Sequence, residues 1–377
     1  MTRRRSAGEG TVFFWQQKGL WVGRITLPDG KKRVKTSKTQ KIVKDWVLVE
    51  RNKIKQGIFT TGENITLETF LIRYLEDYGK RSLRITTYEG YKQVIERHII
   101  PDLGKVKLKD LRADQINYLI TKKLNAGLSN RSVEYIHGIL KRSLNVAKTW
   151  ELISKNPATL VSPPKVTFKI PDIWSSEQVR LFLDSLKDDR WEAIYYLACT
   201  AMRKGEVLGL PLKALDVDKG YLMVIQNLQY VPGRGLLLLE PKTEKSKRLI
   251  KLPDFIVEAL KKHLARRAML AQSPNWKESG LVFTTDIGTP ISPRNMVRHF
   301  KNKIEAIGLP DIRFHDIRHS IVSYLLIEKN LNVKFVSELV GHSSSKVTMD
   351  RYAHLINPMN SLVADSLEGL SIPSGLP

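Results

Sequence analysis

The sequence predicts a mainly α protein with small β-sheets (α+β), and three observations predict it. Strand-like alternation is confined to two short regions, 11–36 and 221–252. Helical periodicity runs through most of the remainder, and the breaks at Asn156-Pro157 and Ser162-Pro163-Pro164-Lys165 read as an extended linker. A chain of 377 residues is also long for one core, so several domains are expected. The boundaries predicted are a β-sheet-plus-helix module at 1–56, a helical bundle at 64–162, a mixed, mostly helical domain at 172–370 and a tail at 371–377.

In the first module, aromatic and β-branched residues alternate on either side of a Pro28-Asp29-Gly30 turn, which predicts a small antiparallel sheet. A helix follows over 40–55, with Val43, Trp46 and Val47 at helical spacing and Gly57 closing it. In the second, Thr66 is placed to cap a helix whose apolar face is Leu67, Phe70, Leu71, Tyr74 and Leu75. Further helices are predicted over 86–99, stopped by Pro101, over 110–125, and over 129–149 with Ile136, Leu140 and Leu144 as the core stripe. In the third, the predicted sheet joins 221–225, 235–239 and 248–252, with turns at Pro232-Gly233 and around 244–246.

Composition narrows the class of partner. There are 62 Lys and Arg against 38 Asp and Glu, a formal net charge of +24, which points to a polyanion. No apolar run approaches the ~18 residues needed to cross a bilayer, and the basic start Arg3-Arg4-Arg5 is not followed by an apolar signal segment. A cytoplasmic protein without a membrane partner is therefore expected. Cys199, the single cysteine, excludes an internal disulfide and any multi-cysteine zinc site. Residues 1–56 hold 15 Lys and Arg but 4 acids; Arg24, Lys31, Lys32, Arg33 and Lys35 on the sheet are candidate phosphate contacts. On the bundle the candidates are Lys122, Lys123, Arg131, Lys141 and Arg142.

Four short segments of the third domain carry reactive groups: Thr200-Ala201-Met202-Arg203-Lys204-Gly205-Glu206, Pro241-Lys242-Thr243, His315-Asp316-Ile317-Arg318-His319, and Gly341-His342 with Tyr352 ten positions on. Attack on a DNA diester without a metal needs this inventory. Two arginines neutralise the non-bridging oxygens, a lysine or histidine protonates the leaving 5′ oxygen, and a phenol attacks.

In this order the motifs resemble those of the tyrosine recombinases of the phage and integrative-element integrase type. The resemblance implies catalytic roles for Arg203, Lys242, His315, Arg318, His342 and the nucleophile Tyr352. It further implies that Glu206 orients the first arginine; His319 is a supporting residue that faces the phosphate, orients His315 or satisfies a buried hydrogen bond. The modules then correspond to arm-binding, core-binding and catalytic domains. The implied reaction is site-specific recombination of double-stranded DNA at core and arm-type sites, through a 3′-phosphotyrosyl link and a Holliday junction. It would be carried out by a homotetramer, with accessory DNA-bending or directionality factors and with no cofactor or metal. Residues 361–370 would dock on a neighbouring protomer. Two departures stand out: Ala201 replaces a usual Gly, and Ser320 stands where Thr is frequent.

Blander readings exist for each residue. Arg203 alone would be an i,i+3 partner of Glu206, Lys242 a solvated turn lysine, Tyr352 a core-edge aromatic and His342 a helix cap. His315 and His319 have the i,i+4 spacing of a zinc site, but Arg318 between them would repel a dication. A DNA-binding regulator without catalysis, or a type IB topoisomerase, would share the charge; the first has no need of six ordered reactive positions, the second no need of a module such as 1–56.

Overall fold

The computed structural model describes residues 10–26, 32–55, 65–167, 172–241, 246–341 and 344–352. They fall into two compact units, within Met1–Phe168 and Lys169–Pro377. The chain is mainly helical with small antiparallel sheets, as its periodicity predicts. Among the described residues no helix is long and apolar enough to cross a membrane.

The first unit begins with an antiparallel sheet of β1 (Thr11–Trp15), β2 (Leu20–Thr26) and β3 (Lys32–Ser37), in that order. Helix α1 (Gln40–Lys55) lies on one face of it. Gly23 makes this possible, because a Cβ there would come within 2.7 Å of Val43 and 2.9 Å of Val47. The register pairs Gly23 with Lys35 and Ile25 with Arg33, so these four share the helix-facing side; Arg24, Val34, Thr26 and Lys32 occupy the other. The Pro28-Asp29-Gly30 turn, Lys31 and Gly57 lie outside the described residues.

The bundle follows. Helix α2 (Leu67–Arg73) starts where Thr66 accepts from the Thr69 amide at 3.2 Å, so the expected cap is present. The chain continues helically through a π-turn at Tyr74–Gly79 into α3 (Lys80–Ser82). Leu67, Phe70, Leu71, Tyr74 and Leu75 are all buried, as is the stripe Ile136, Leu140 and Leu144. Pro101 does not stop the next helix. Helix α4 (Ile85–Val94) widens to π geometry over Ile95–Ile99 and resumes as α5 (Ile100–Leu103) with Pro101 in its first turn. A proline in the first turn of a restarted helix lacks only an amide that has no partner there. Helices α6 (Ala113–Asn125) and α7 (Asn130–Thr149) complete the bundle, α7 capped by Ser129.

The second unit packs α8 (Ser176–Asp184) and α9 (Glu192–Ala198) around an aromatic core of Trp174, Phe182, Tyr195, Phe300 and Phe314. The short α10 (Lys204–Leu208) follows, and then the strands depart from the single predicted sheet. β4 (Leu215–Asp216), β5 (Tyr221–Val224) and β8 (Arg248–Lys251) form one sheet, whereas β7 (Gly235–Leu239) pairs with β6 (Asn227–Val231) in a separate hairpin closed at Pro232-Gly233. Strand β6 was not foreseen. It is seated directly on α10: a Cβ at Gly205 would meet the Leu228 carbonyl at 2.7 Å, and one at Gly209 the Leu228 amide at 2.6 Å. Five helices end the described chain: α11 (Asp254–Leu270), α12 (Pro293–Ala306), α13 (Phe314–Ser323, prolonged by a π-turn at Tyr324–Glu328), α14 (Val333–Val340) and α15 (Ser345–Tyr352).

Candidate active site

Arg203 is not on an apolar helix but at the N-cap of α10, in extended conformation. The third residue of the helix, Glu206, closes the cap by accepting the Arg203 amide at 2.9 Å. The same carboxylate takes the Arg203 guanidinium at 2.7 Å and the Arg248 guanidinium at 2.9 Å. It is 4% exposed. Burial works to raise its pKa, but Arg248 and then Arg203 outweigh it, so Glu206 stays below the ordinary carboxylate range.

Immediately before Arg203 the chain turns sharply, and Ala201 sits at φ +59°. A left-handed alanine costs about 1–2 kcal/mol, which accounts for the glycine expected there. In this conformation the Ala201 carbonyl accepts from Arg318. The second Arg318 amino group donates to Val340 at 2.6 Å. Arg318 is 3% exposed, and among the described residues no carboxylate pairs with it. Burial, and after it the charge of Arg203, brings its guanidinium down to about 9. It is therefore a charged group at neutral pH, held by two neutral carbonyls.

Helix α13 carries Arg318 together with His315 and His319. Its start repeats the device seen at α10: Asp316, third in the helix, accepts the amide and the guanidinium of Arg313. Four positions on, Ser320 donates to the Asp316 carbonyl at 2.9 Å and accepts the Trp174 amide at 2.9 Å, so serine satisfies that position. His319 is buried, and its Nδ1 is hydrogen-bonded to the Tyr352 hydroxyl. Tyr352 is 3% exposed and packs in a small cluster with Ala201, Val322, Leu326, Val336 and Val340. His315 is exposed, its ring edge-on to His319 with centroids 5.1 Å apart. With His319 engaged by Tyr352 and both Asp316 oxygens by Arg313, the zinc reading of this segment is left without an available pair of histidines.

Arg203, Glu206, Arg318, His319 and Tyr352 are thus brought together from three helices and a cap. Lys242 and His342 lie outside the described residues. Strands β7 and β8, which precede and follow that lysine in the chain, belong to different sheets. Arg248 was missed by sequence reasoning. Its signal was the phase of β8, since Arg248 shares a face with Ile250 and Leu252, which are both buried.

The expected DNA contacts divide. Arg24, Lys32 and Lys35 are exposed, whereas Arg33 is tied to Glu50 of α1 at 2.6 Å. In the bundle Lys122 and Lys123 both donate to Asp102, at 2.5 and 2.7 Å, and Arg131 pairs with Glu134 at 2.9 Å. Arg142 is exposed and donates to the Tyr91 hydroxyl, and Lys141 is half-buried.

The chain is similar in sequence and fold to known proteins. Residues 176–357 match the Phage integrase family, and residues 66–124 match the Phage integrase N-terminal SAM-like domain. A XerC-like tyrosine recombinase of Caldanaerobacter subterraneus subsp. tengcongensis is 29% identical over 342 residues, covering 85% of this chain and 87% of that protein. Among solved structures, the Tn1549 transposon integrase in complex with transposon right end DNA superposes with a TM-score of 0.67 at 21% identity, over 81% of this chain and 100% of that one. A lambda integrase tetramer bound to a Holliday junction gives 0.56 at 17% identity, over 89% of this chain and 96% of that one.

Proposed function

The chain belongs to the phage integrase family of tyrosine recombinases and is a site-specific DNA recombinase of the phage or mobile-element kind, and from that premise we propose that Tyr352 is its nucleophile. The observation that carries this is the Tyr352 hydroxyl on His319 Nδ1, one residue along the helix from the Arg318 guanidinium, which among the described residues meets carbonyls and no carboxylate.

The Tyr352 oxygen attacks the scissile phosphorus while the bond to the 5′ oxygen breaks, leaving a 3′-phosphotyrosyl link and a 5′ hydroxyl. A tyrosine phenol, with an ordinary pKa near ~10, needs a proton acceptor as it attacks. That acceptor is His319, because its Nδ1 meets the hydroxyl, and His315 is then left to the phosphate or the leaving group. Arg203 and Arg318 stabilise charge on the non-bridging oxygens, for which a guanidinium fork is suited. His342 completes the set by its place in the motif. The bond energy is retained in the link, so a partner strand's 5′ hydroxyl reverses the step without a nucleotide cofactor.

Lys242 is proposed as the acid that protonates the leaving 5′ oxygen. A substrate with sulfur at that bridging position leaves without a proton, so Lys242→Ala should be slowed by about 10²–10⁴-fold on ordinary DNA and be close to wild type on the sulfur substrate. A Lys242→Ala enzyme equally slow on both is not missing an acid.

By analogy with the lambda integrase tetramer on its Holliday junction, we further propose a homotetramer on two double-stranded DNA sites. Residues 1–56 would read arm-type sites, 64–162 and 172–370 the core site, and accessory bending factors would help at the nucleoid of the cytoplasm. The test of the nucleophile is a nicked suicide substrate on a denaturing gel: wild type should give a covalent protein–DNA band and Tyr352→Phe none, with DNA binding retained. A band persisting in the Phe variant would move the attack to another residue.

A further inference from the structure

Three successive carbonyls at the end of α14 each accept from a different arginine. Leu339 takes Arg248 Nε at 2.6 Å, Val340 takes Arg318 Nη2 at 2.6 Å, and Gly341 takes Arg203 Nη2 at 3.5 Å. The last carbonyls of a helix lack intrahelical partners and form its negative end, so they are natural seats for cations. Two of these arginines are the phosphate ligands proposed above. The third is assigned no role by that reading.

Of the two arginines paired with Glu206, Arg248 is the more enclosed, its side chain 7% exposed against 39% for Arg203. It enters from the start of β8, where it pairs with the buried Val224 and points the same way as Ile250. Placing a guanidinium at a core-facing strand position is unfavourable unless its donors are met. Here they are: Nε on Leu339, Nη1 on Ser246 at 3.3 Å and Nη2 on Glu206 at 2.9 Å. The Glu206 oxygen it uses is the one that also accepts the Arg203 amide. Gly341 is shaped around it as well, since that residue has φ +65° and a Cβ there would lie 3.1 Å from Arg248 Nη1.

We propose that Arg248 is a positioning residue that clamps the end of α14 to Glu206 and so holds Arg203 and Arg318 in register on one scissile phosphate. It does so without touching the phosphate, by fixing the Leu339–Gly341 carbonyl row against the carboxylate that orients Arg203. The proposal rests on the reading of Arg203 and Arg318 as phosphate ligands.

The test compares single-turnover cleavage by the full chain on two suicide substrates, one with an ordinary scissile phosphate and one with a neutral methylphosphonate. Formation of a Tyr352-dependent adduct by wild type comes first; its absence would sink the reading of the site and not that of Arg248. Arg248→Gln and Arg248→Lys are then measured beside Arg203→Lys. Misplaced arginines fail to stabilise developing charge, so both Arg248 variants should be slower on ordinary DNA, by roughly 10²-fold for Gln and less for Lys. As for Arg203→Lys, most of that gap should close on the methylphosphonate, which carries one charge fewer. Equal slowing on both substrates, wild-type rates on ordinary DNA, or loss of a cooperative melt in both variants would each overturn the proposal, leaving Arg248 a purely structural ion-pair partner.

Discussion

In the helical bundle Lys122, Lys123, Arg131 and Arg73 are each met by a carboxylate, whereas around Glu206 in the second unit two guanidiniums share one carboxylate and a third is held by carbonyls alone. Lys122 and Lys123 close on Asp102, Arg131 on Glu134 and Arg73 on Asp77. Burial opposes the Asp102 charge, but the two lysines outweigh it and hold the carboxylate below its ordinary range. Around Glu206, by contrast, Arg203 and Arg248 take both oxygens, and Arg318 is left with carbonyls alone. Positive charge in the first region is neutralised in place and serves the fold. In the second it is in excess and fixed, and at Arg318 and Arg248 shielded from water, which is the arrangement that stabilises an anion as it forms.

Exchanging the roles breaks the comparison most sharply at Arg318. Arg318→Met should slow cleavage by about 10²–10³-fold, yet shift the melting temperature little. The loss of two hydrogen bonds is offset by removal of a buried charge that has no acid partner. A large drop in melting temperature alongside the lost activity would show that Arg318 serves the fold as the bundle cations do. The smaller effect is expected at Lys123, whose side chain is 12% exposed beside an Asp102 that is 9% exposed. Lys123→Ala should destabilise the protein by about 1–3 kcal/mol while leaving cleavage and the salt dependence of DNA affinity unchanged. If instead the log–log salt slope falls by about 1 with stability intact, Lys123 is a phosphate contact as its sequence setting first indicated.

The bundle was also the more legible of the two regions. Its helices follow from a local 3.6-residue period, and the Thr66 cap sits where the sequence puts it. Even there Pro101 misled, because a π-turn lets the helix restart around it. In the second unit the positions of Arg203, Arg318 and Tyr352 were readable from motif order, but their hydrogen bonds were not. Which strand pairs with which depends on contacts distant in sequence: Leu228 seats on Gly205 and Gly209, and this draws β7 to β6 and away from β5. The role of His319 was open for the same reason, since its partner Tyr352 lies 33 residues away on another helix. Ala201 was noticed only as a departure from glycine. Its left-handed backbone explains both the usual glycine and the aim of its carbonyl at Arg318.

All of this converges on a fixed positive site with one phenol beside it, and the most direct test is to find that phenol in the product. The covalent complex trapped on a suicide substrate is digested with protease and nuclease, and the nucleotide-bearing peptide is sequenced by mass spectrometry. The modification is expected on the Tyr352 oxygen, in a peptide that follows the Gly341-His342 motif. A nucleotide carried by another residue, such as Tyr324 at the end of α13, would contradict it.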